Sequence, residues 1–244
     1  MKGVLLAGGH GKRLLPLTKV TNKHLLPVYK KPMIYYPLET LLNAGIKDIL
    51  IVTGGEQIGD FFRLLGSGRE WGAHFNYEIQ EGKAGTGAAL LLAEHFVGKE
   101  SFLVVLGDNV VSENVKKFVR EFKKEQGLFK AKILVAKVKD PQKYGVVRFE
   151  GKKIVEIIEK PKKPKTSYVN TGLWMFQPDV FALLKNLRKS SRGEYEITDV
   201  LDYYAKRGEL SHSILESTWT DAGTFESLYN ATVLMKKNEE NEGK

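Results

Sequence analysis

The sequence predicts an α/β fold in which helices cover both faces of a mixed, mainly parallel central sheet. Up to about residue 125, short unbroken apolar runs alternate with helical segments, the pattern of a doubly wound sheet. Beyond that point, four strand-like runs follow one another before three further helices. The 244 residues fit one mixed domain, and 42% apolar with 27% charged residues indicate a globular chain.

The first half of the chain is divided by glycines that end the hydrophobic segments. The predicted strands are three unbroken apolar runs, Lys2–Ala7, Asp48–Thr53 and Ser101–Leu106, and one alternating run, Phe75–Gln80. Gly45 ends the first predicted helix, a Gly-rich turn follows the second, and the third is rich in Ala and Leu. These helices, with a fourth after the last strand, are Ile34–Asn43, Ile58–Leu65, Thr86–Phe96 and Glu113–Glu125.

The second half groups its strands together and then its helices. The predicted strands are separated by turns and span Ala131–Val138, Gly145–Phe149, Lys153–Ile158 and Tyr168–Phe176. The predicted helices are Pro178–Leu187, Glu196–Ala205 and Phe225–Lys236. The final segment, Lys236–Lys244, is wholly polar, and we expect it to fray.

Composition excludes several kinds of site. The chain has no cysteine, which excludes disulfides, zinc-thiolate sites, iron–sulfur clusters and a cysteine nucleophile. The densest apolar stretch, near Ala88–Ala93, is far shorter than the ~20 residues of a membrane helix. The apolar part of Met1–Ala7 is too short for a signal peptide, so we expect a soluble, cytoplasmic protein. The net charge of +9 fits a polyphosphate substrate, a nucleic acid, an anionic membrane or a solvated Lys-rich surface.

A Gly-rich segment, Gly8–Arg13, follows the first predicted strand. Glycines let backbone N–H groups approach a phosphate, and ligands of open α/β sheets bind at the carboxyl ends of strands. The segment is not a Walker loop, because Arg13 stands where Ser or Thr is needed, nor a dinucleotide fingerprint, because Leu14 replaces the third glycine. Either a phosphate loop of another type or a structural turn remains.

A series of short motifs continues in order along nearly the whole chain. They are Leu6–Leu14, Pro16–Thr18, Lys23–Val28, Lys31–Ile34, Trp71-Gly72, Gly107–Asn109, Tyr144–Val147, Glu159–Pro161, Asn170–Gly172, Arg192–Glu194, Glu196–Asp199 and Trp219–Thr224. In this order the chain resembles the sugar-phosphate nucleotidyltransferases, and among them the glucose-1-phosphate thymidylyltransferases. Each motif alone is weak, whereas the ordered set is specific.

The resemblance implies a Rossmann-like, GT-A-like fold over residues 1–244. It implies a nucleotide-binding part in about 1–125 and a sugar-phosphate-binding part in about 126–235. The implied reaction joins dTTP or UTP to glucose-1-phosphate and releases pyrophosphate, with Mg²⁺ as cofactor. The expected partners are therefore these small molecules, without nucleic acid or membrane, and a homo-oligomer is left open.

The resemblance also assigns charged residues to the reaction. Asp108 and Asp221 match the Mg²⁺-binding aspartates of the family. Arg13 matches a clamp on the leaving pyrophosphate, Lys23 a cation near the α-phosphate, and Lys160 the partner of the sugar phosphate. Considered singly, Asp108 also fits a polar turn, Asp221 a helix cap, and each basic residue an exposed side chain.

Binding residues follow from the same motifs. Those implied for the nucleotide are Leu6, Ala7, Gly8, Gly9, Gly11, Lys12, Arg13, Gln80, Gly85 and Thr86, with Gln80 facing the pyrimidine edge. Those implied for the sugar phosphate are Asn109, Tyr144, Gly145, Glu159, Lys160, Asn170, Thr171 and Gly172. For Tyr144-Gly145 and Asn170–Gly172, a turn with no role in binding is the alternative. Arg13, Lys23, Asp108 and Lys160 form the implied catalytic set. Glu194 and Glu196–Asp199 are interpreted as an acidic helix start.

Several positions depart from the family pattern. Lys12 stands where Thr is usual, and His24 where the thymidylyltransferases usually have Gln. The segment Gly85–Ala88 has the general nucleotidyltransferase form, so the choice between thymine and uracil stays open. The chain has no counterpart of the family's usual C-terminal helices, and we do not carry over the regulatory site and tetramer contact that these helices build.

A basic cluster, Lys152–Lys165, supports a distant alternative, a nucleic-acid-binding protein. The cluster lacks the interleaved aromatic residues typical of single-strand binding. A catalytically inactive homologue is a further alternative, and the retention of Arg13, Lys23, Asp108 and Asp221 argues against it.

Overall fold

The computed structural model describes residues 1–82 and 84–242. Its strands are β1 Lys2–Ala7, β2 Pro27–Val28, β3 Lys31–Pro32, β4 Asp48–Gly54, β5 His74–Gln80, β6 Phe102–Leu106, β7 Asn109–Val111, β8 Ala131–Lys137, β9 Gly145–Glu150, β10 Lys153–Glu159, β11 Tyr168–Phe176, β12 Leu210–Ile214 and β13 Trp219–Asp221. Its α-helices are α1 Tyr35–Asn43, α2 Ile58–Leu65, α3 Gly85–Leu91, α4 Glu94–Val97, α5 Lys116–Glu125, α6 Val180–Leu184, α7 Ile197–Lys206 and α8 Phe225–Glu242.

The central sheet confirms the predicted mixed, mainly parallel α/β class. Seven strands follow the order β10-β9-β11-β6-β1-β4-β5, while β8 also pairs with β11 and β12 pairs with β8. The four strands β6, β1, β4 and β5 are parallel, whereas β11 runs antiparallel to β6. Because parallel strands end at the same edge, the loops after β1, β5 and β6 lie together.

Each face of the sheet carries its own hydrophobic core. Successive residues of β1 point to opposite faces, so Val4 and Leu6 pack with α3, α6 and α7, whereas Leu5 and Ala7 pack with α1, α2 and α5. Both faces are covered, which is why the central strands have unbroken apolar sequences. Within the described residues, the helices are too short or too polar to cross a bilayer.

Two helix predictions in the first half of the chain differ from the structure. The predicted helix Thr86–Phe96 is two helices, α3 and α4, with a tight turn in which the Ala93 N–H donates to the Leu90 carbonyl. Helix α5 begins at Lys116 rather than Glu113, because the Asn114 side chain accepts a hydrogen bond from the Lys116 N–H.

The expected fraying from Lys236 is wrong over the described part of that segment, where α8 continues to Glu242. Lys30 pairs with Glu239 at 2.7 Å and ties the end of the helix to the loop after β2. The last two residues of the segment, 243 and 244, lie outside the described residues.

Five short strands were not predicted: β2, β3, β7, β12 and β13. The antiparallel pair β7–β13 matters most for the site, because its register places Asp221 opposite Asn109. Both strands have three residues, too few for a recognisable alternation, and their pairing joins segments far apart in sequence.

Candidate active site

A cavity of about 850 Å³ opens at the carboxyl ends of β1, β5 and β6. Every predicted site residue except Ala7 lines it. Ala7 is fully buried at the end of β1, and its side chain belongs to the core beneath the loop. The motifs that are dispersed in sequence therefore meet in one cleft at the switch between parallel and antiparallel strands.

The Gly-rich loop owes its shape to Gly11. This residue has a φ of +61°, and a Cβ on it would lie 2.7 Å from the Thr18 side chain and 2.8 Å from Lys23. A single 3₁₀ turn, Lys12–Leu14, follows, and its Leu14 is buried. This anchoring directs the Arg13 guanidinium towards Gly223 across the cleft.

Lys23 and Asp108 form an ion pair at the base of the cavity. The Lys23 Nζ donates to Asp108 Oδ2 at 2.5 Å, and both side chains are mostly buried. Burial would raise the pKa of the Asp108 carboxyl, but the neighbouring Lys23 ammonium outweighs it and holds that pKa well below its usual range. Asp108 is therefore an anion over the whole neutral range.

Asp221 reaches the same point from β13. A Cβ on Gly223 would lie 2.9 Å from Arg13 Nη2, 3.1 Å from Asp221 Oδ2 and 3.3 Å from Asp108 Oδ2. Two carboxylates and a guanidinium thus converge where residue 223 has no side chain. Burial, with the negative charge of Asp108, raises the pKa of Asp221.

The alternative of a helix cap does not describe Asp221. Helix α8 is capped by Thr224 and Ser227, because the Ser227 N–H donates to Thr224 Oγ1 and the Thr224 N–H donates to Ser227 Oγ. The Asp221 carboxylate instead accepts a hydrogen bond from the Tyr144 hydroxyl. Within 1–82 and 84–242, no three His, Cys, Asp or Glu side chains cluster as metal ligands, so Asp108 and Asp221 are the candidate pair.

Glu159 and Lys160 form a second charged group in the cavity lining. Glu159 Oε2 accepts a hydrogen bond from the buried Thr198 hydroxyl at 2.7 Å, and Oε1 lies 3.3 Å from Lys160 Nζ. Lys160 has a φ of +43°, which is unusual for a residue with a side chain. Its N–H donates to the Tyr144 carbonyl, which fixes the turn after β10.

The Asn170–Gly172 segment is an irregularity in β11 where its pairing with β8 shifts register. Asn170 Oδ1 accepts hydrogen bonds from the Trp174 indole and the Gly172 N–H. The Thr171 hydroxyl donates to the Leu134 carbonyl, so this group is used within the fold. Gly172 has a φ of +83° and approaches Asn109 closely, which only glycine permits there.

Gln80 ends β5 and lies over Gly8 of the loop after β1. Its side-chain amide donates to the Gly85 carbonyl at 3.2 Å. The segment that follows is bonded to a second loop, because the Tyr195 N–H donates to the Ala84 carbonyl and the Gly87 N–H donates to the Tyr195 carbonyl, both at 2.8 Å. These two bonds join the loop after β5 to the loop before α7.

Residues that the sequence reasoning had not placed in the site also line the cavity. Arg192 forms a bidentate pair with Glu196 and lies 3.5 Å from Glu159 Oε1. Glu196 does precede α7, as expected of an acidic helix start, but its carboxylate binds Arg192 and Ser190 rather than the helix N–H groups. The Arg192–Glu194 motif could have indicated from the sequence that Arg192 lies in the site. An arginine considered alone, however, is usually an exposed surface residue.

His24 lies beneath the site as a buried, neutral ring. Its Nδ1 is 2.7 Å from Asn22 Oδ1, and a Cβ on Gly107 would lie 2.7 Å from its Cδ2. Burial, with the adjacent Lys23 charge, lowers the pKa of His24 to about 3. His24, which stands where the thymidylyltransferases usually have Gln, therefore places an uncharged hydrogen-bonding group between the Gly-rich loop and the loop carrying Asp108.

Comparisons with known proteins agree with these observations. The family model described as "Nucleotidyl transferase" matches residues 2–238. A glucose-1-phosphate thymidylyltransferase of Neisseria meningitidis serogroup A is 42% identical over 95% of this chain and 81% of its own length. One from Mycolicibacterium smegmatis is 40% identical, covering 100% of this chain and 85% of that protein.

Solved structures are similar over nearly the whole chain. A Bacillus anthracis protein, named provisionally as a glucose-1-phosphate thymidylyltransferase, has 47% identity and a TM-score of 0.92, covering 96% of this chain and 94% of that one. A UDP-glucose pyrophosphorylase complexed with UDP-glucose has 27% identity and a TM-score of 0.85, covering 97% and 98%. The resemblance first indicated by the motifs is confirmed: the chain belongs to the nucleotidyl transferase family.

Proposed function

We propose that the protein transfers the nucleotidyl group of dTTP or UTP to glucose-1-phosphate, forming dTDP-glucose or UDP-glucose and pyrophosphate. The observation that carries this proposal is the layout of the single cleft. Arg13, Lys23, Asp108 and Asp221 meet in one group of its lining residues, and Glu159 and Lys160 form another. The names of the similar proteins support the same reaction.

The reaction requires charge and position rather than a protein nucleophile. An oxygen of the sugar phosphate attacks the α-phosphorus of the triphosphate, the bond from that phosphorus to the β-phosphate oxygen breaks, and pyrophosphate leaves. The attacking oxygen is already anionic, so no proton is removed. The barrier is therefore lowered by aligning the two substrates and by neutralising phosphate charge.

The basic residues fit these tasks. Arg13 binds the leaving pyrophosphate through paired hydrogen bonds, and Lys23 lies where it can move from Asp108 to the α-phosphate. Lys160 binds the sugar phosphate, and Glu159 accepts hydrogen bonds from the sugar hydroxyls. In the absence of substrate, Glu159 contacts Lys160 and Thr198, which hold it at the cavity wall.

Asp108 and Asp221 fit a divalent cation, and we propose Mg²⁺. Their oxygens converge at Gly223, and hard cations take one or two carboxylates together with phosphate oxygens. Burial, and next the negative charge of Asp108, raise the pKa of Asp221, and a bound cation would offset both effects. When bound, Mg²⁺ would neutralise charge on the triphosphate and orient its phosphates.

The pyrimidine choice gives two candidates. Gln80 can pair with the edge shared by thymine and uracil, so both dTTP and UTP fit. The thymidylyltransferases of similar sequence favour dTTP. The similarity to a UDP-glucose pyrophosphorylase favours a uridylyltransferase, or a nucleotidyltransferase for another sugar-1-phosphate, as the second candidate.

A pyrophosphate-release assay tests the proposal. Purified protein is incubated with Mg²⁺, glucose-1-phosphate and either dTTP or UTP, and other sugar-1-phosphates follow. We expect release that requires both substrates and Mg²⁺. Asp108→Asn and Asp221→Asn should each remove most of the activity without unfolding the protein, and no release with any pair of substrates would refute the enzyme assignment.

The remaining expectations belong to the same proposal. We propose one domain, in which about 1–125 binds the nucleotide and about 126–235 the sugar phosphate, in a cytoplasmic protein without nucleic-acid or membrane partners. A gel-shift assay at low and high salt tests nucleic-acid binding. Size-exclusion chromatography with light scattering tests for a homo-oligomer.

A further inference from the structure

We propose that Tyr144 is a positioning residue, whose hydroxyl holds one oxygen of Asp221 so that the other oxygen faces Asp108. This inference rests on the proposed function, because it concerns the cation that the two aspartates would bind. Tyr144 was assigned to the sugar-phosphate site by its motif, and the new assignment gives its hydroxyl a different task.

The two oxygens of Asp221 have separate surroundings. Oδ1 accepts a hydrogen bond from the Tyr144 hydroxyl at 3.1 Å. Oδ2 lies on the other side, at the point near Gly223 where Asp108 Oδ2 and the Arg13 guanidinium also converge. A carboxylate that is hydrogen-bonded at one oxygen is restrained to present the other to a cation.

The phenol is the donor of this hydrogen bond. The Tyr144 hydroxyl lies 3.1 Å from Asp221 Oδ1, and a phenol keeps its proton at neutral pH. An ionised carboxylate can only accept. The contact therefore has one direction and needs no change of protonation when a cation arrives.

The ring of Tyr144 is itself held by packing. It packs edge-to-face against Trp219, with centroids 5.3 Å apart. The Trp219 indole N–H donates to Asn109 Oδ1, and Asn109 is the register partner of Asp221 in the β7–β13 pair. Trp219 and Asp221 are two residues apart on one strand, so the Trp219 ring and the Asp221 carboxylate lie on the same face of that strand.

The hydrogen bond also opposes a specific repulsion. The Oδ2 atoms of Asp221 and Asp108 converge near Gly223, and the repulsion between these like charges favours rotation of the Asp221 carboxylate away from Asp108. The Tyr144 hydroxyl holds the carboxylate against that rotation. Removing a partner of this kind typically weakens metal binding by about 10- to 100-fold.

The test compares Tyr144→Phe with Tyr168→Phe. The first change removes the hydroxyl and keeps the ring against Trp219. The second removes a hydroxyl from another partly buried tyrosine, which packs edge-to-face on Phe149 and does not line the cavity. Free Mn²⁺ is measured by electron paramagnetic resonance as Mn²⁺ alone is titrated into each protein, and the thermal midpoint reports folding.

We expect the Kd for Mn²⁺ to rise about tenfold or more in Tyr144→Phe and to stay within twofold of wild type in Tyr168→Phe. A Kd within twofold of wild type in a folded Tyr144→Phe protein overturns the inference. An equal loss of Mn²⁺ affinity in the two variants also overturns it. A raised KM for the sugar phosphate with unchanged Mn²⁺ affinity also overturns it, because the hydroxyl would then act on the sugar alone.

The aspartate variants separate this inference from the proposed function. If Asp108→Asn and Asp221→Asn lose Mn²⁺ binding while Tyr144→Phe keeps it, only the role of Tyr144 is refuted. If wild type and all variants bind Mn²⁺ equally, or none binds it, both the cation site and the role of Tyr144 are refuted. If Tyr144→Phe does not fold, Tyr144→His, which keeps an aromatic donor, must retain Mn²⁺ binding for the inference to stand.

Discussion

Replacing Gly223 by alanine adds one methyl group at the point where the proposed cation site has its open space. The new carbon would lie 2.9 Å from the Arg13 guanidinium, 3.1 Å from Asp221 Oδ2 and 3.3 Å from Asp108 Oδ2. These separations are below the roughly 3.5–4.0 Å at which non-bonded heavy atoms pack best. The three charged groups must therefore move apart by several tenths of an ångström.

The backbone itself accepts alanine at this position. Gly223 does not have a positive φ, so the change adds no backbone strain, and the free energy of unfolding should change by less than about 1 kcal/mol. Activity should fall by about 100-fold, because small displacements of groups that hold reacting phosphates can cost that much. We therefore expect a large loss of activity with little change in the free energy of unfolding.

Pyrophosphate release and urea unfolding are measured for Gly223→Ala and for a control, Gly59→Ala. Gly59 lies in α2, and a Cβ on it would meet nothing within 4 Å. The control should keep full activity. Activity of Gly223→Ala within threefold of wild type would refute the reasoning that these groups meet around the reacting phosphates.

Three further results are expected. The pKa of Asp221 is raised, so its ionised form lowers the free energy of unfolding above that pKa. Asp221→Asn should therefore increase the urea midpoint at pH 7 but not below pH 4. An equal increase of the midpoint at both pH values would contradict this. His24→Leu should lower the free energy of unfolding by about 1–3 kcal/mol, because buried Asn22 loses a partner, whereas His24→Gln should restore much of it in the same urea assay. Lys132 is buried, and its ammonium pairs at 3.2 Å with two partly exposed glutamates of α5. Lys132→Met should lower the free energy of unfolding in urea by about 2–3 kcal/mol, while pyrophosphate release stays at the wild-type rate. Loss of pyrophosphate release in a folded Lys132→Met protein would contradict this.

The parallel half of the fold was predictable because its signals are local. Unbroken apolar runs such as Lys2–Ala7 and Ser101–Leu106 correspond to the buried strands β1 and β6. The glycines after them mark the carboxyl ends where ligands bind, so Arg13 and Asp108 could be placed at one edge. The longer antiparallel strands β8, β9, β10 and β11 were predicted too, but not the pairing of β12 with β8.

What could not be predicted depends on contacts between distant segments. The β7–β13 pair has three residues in each strand, and no pattern in Asn109–Val111 points to Trp219–Asp221. The hydrogen bond from Tyr144 to Asp221 follows from that pairing, since it brings β13 beside the start of β9. The pairing of Lys30 with Glu239, which accompanies the continuation of α8, likewise joins residues far apart in sequence.

The two backbone bonds of Tyr195 also bear on engineering. They join the segment after Gln80 to the loop that carries Arg192, through main-chain atoms alone. A Cβ on Gly85 or Gly87 would lie within 3 Å of the Tyr195 carbonyl oxygen. The two loops therefore form one modular unit, and a design that transplants a relative's base-recognition loop to alter pyrimidine preference must transplant its partner loop as well.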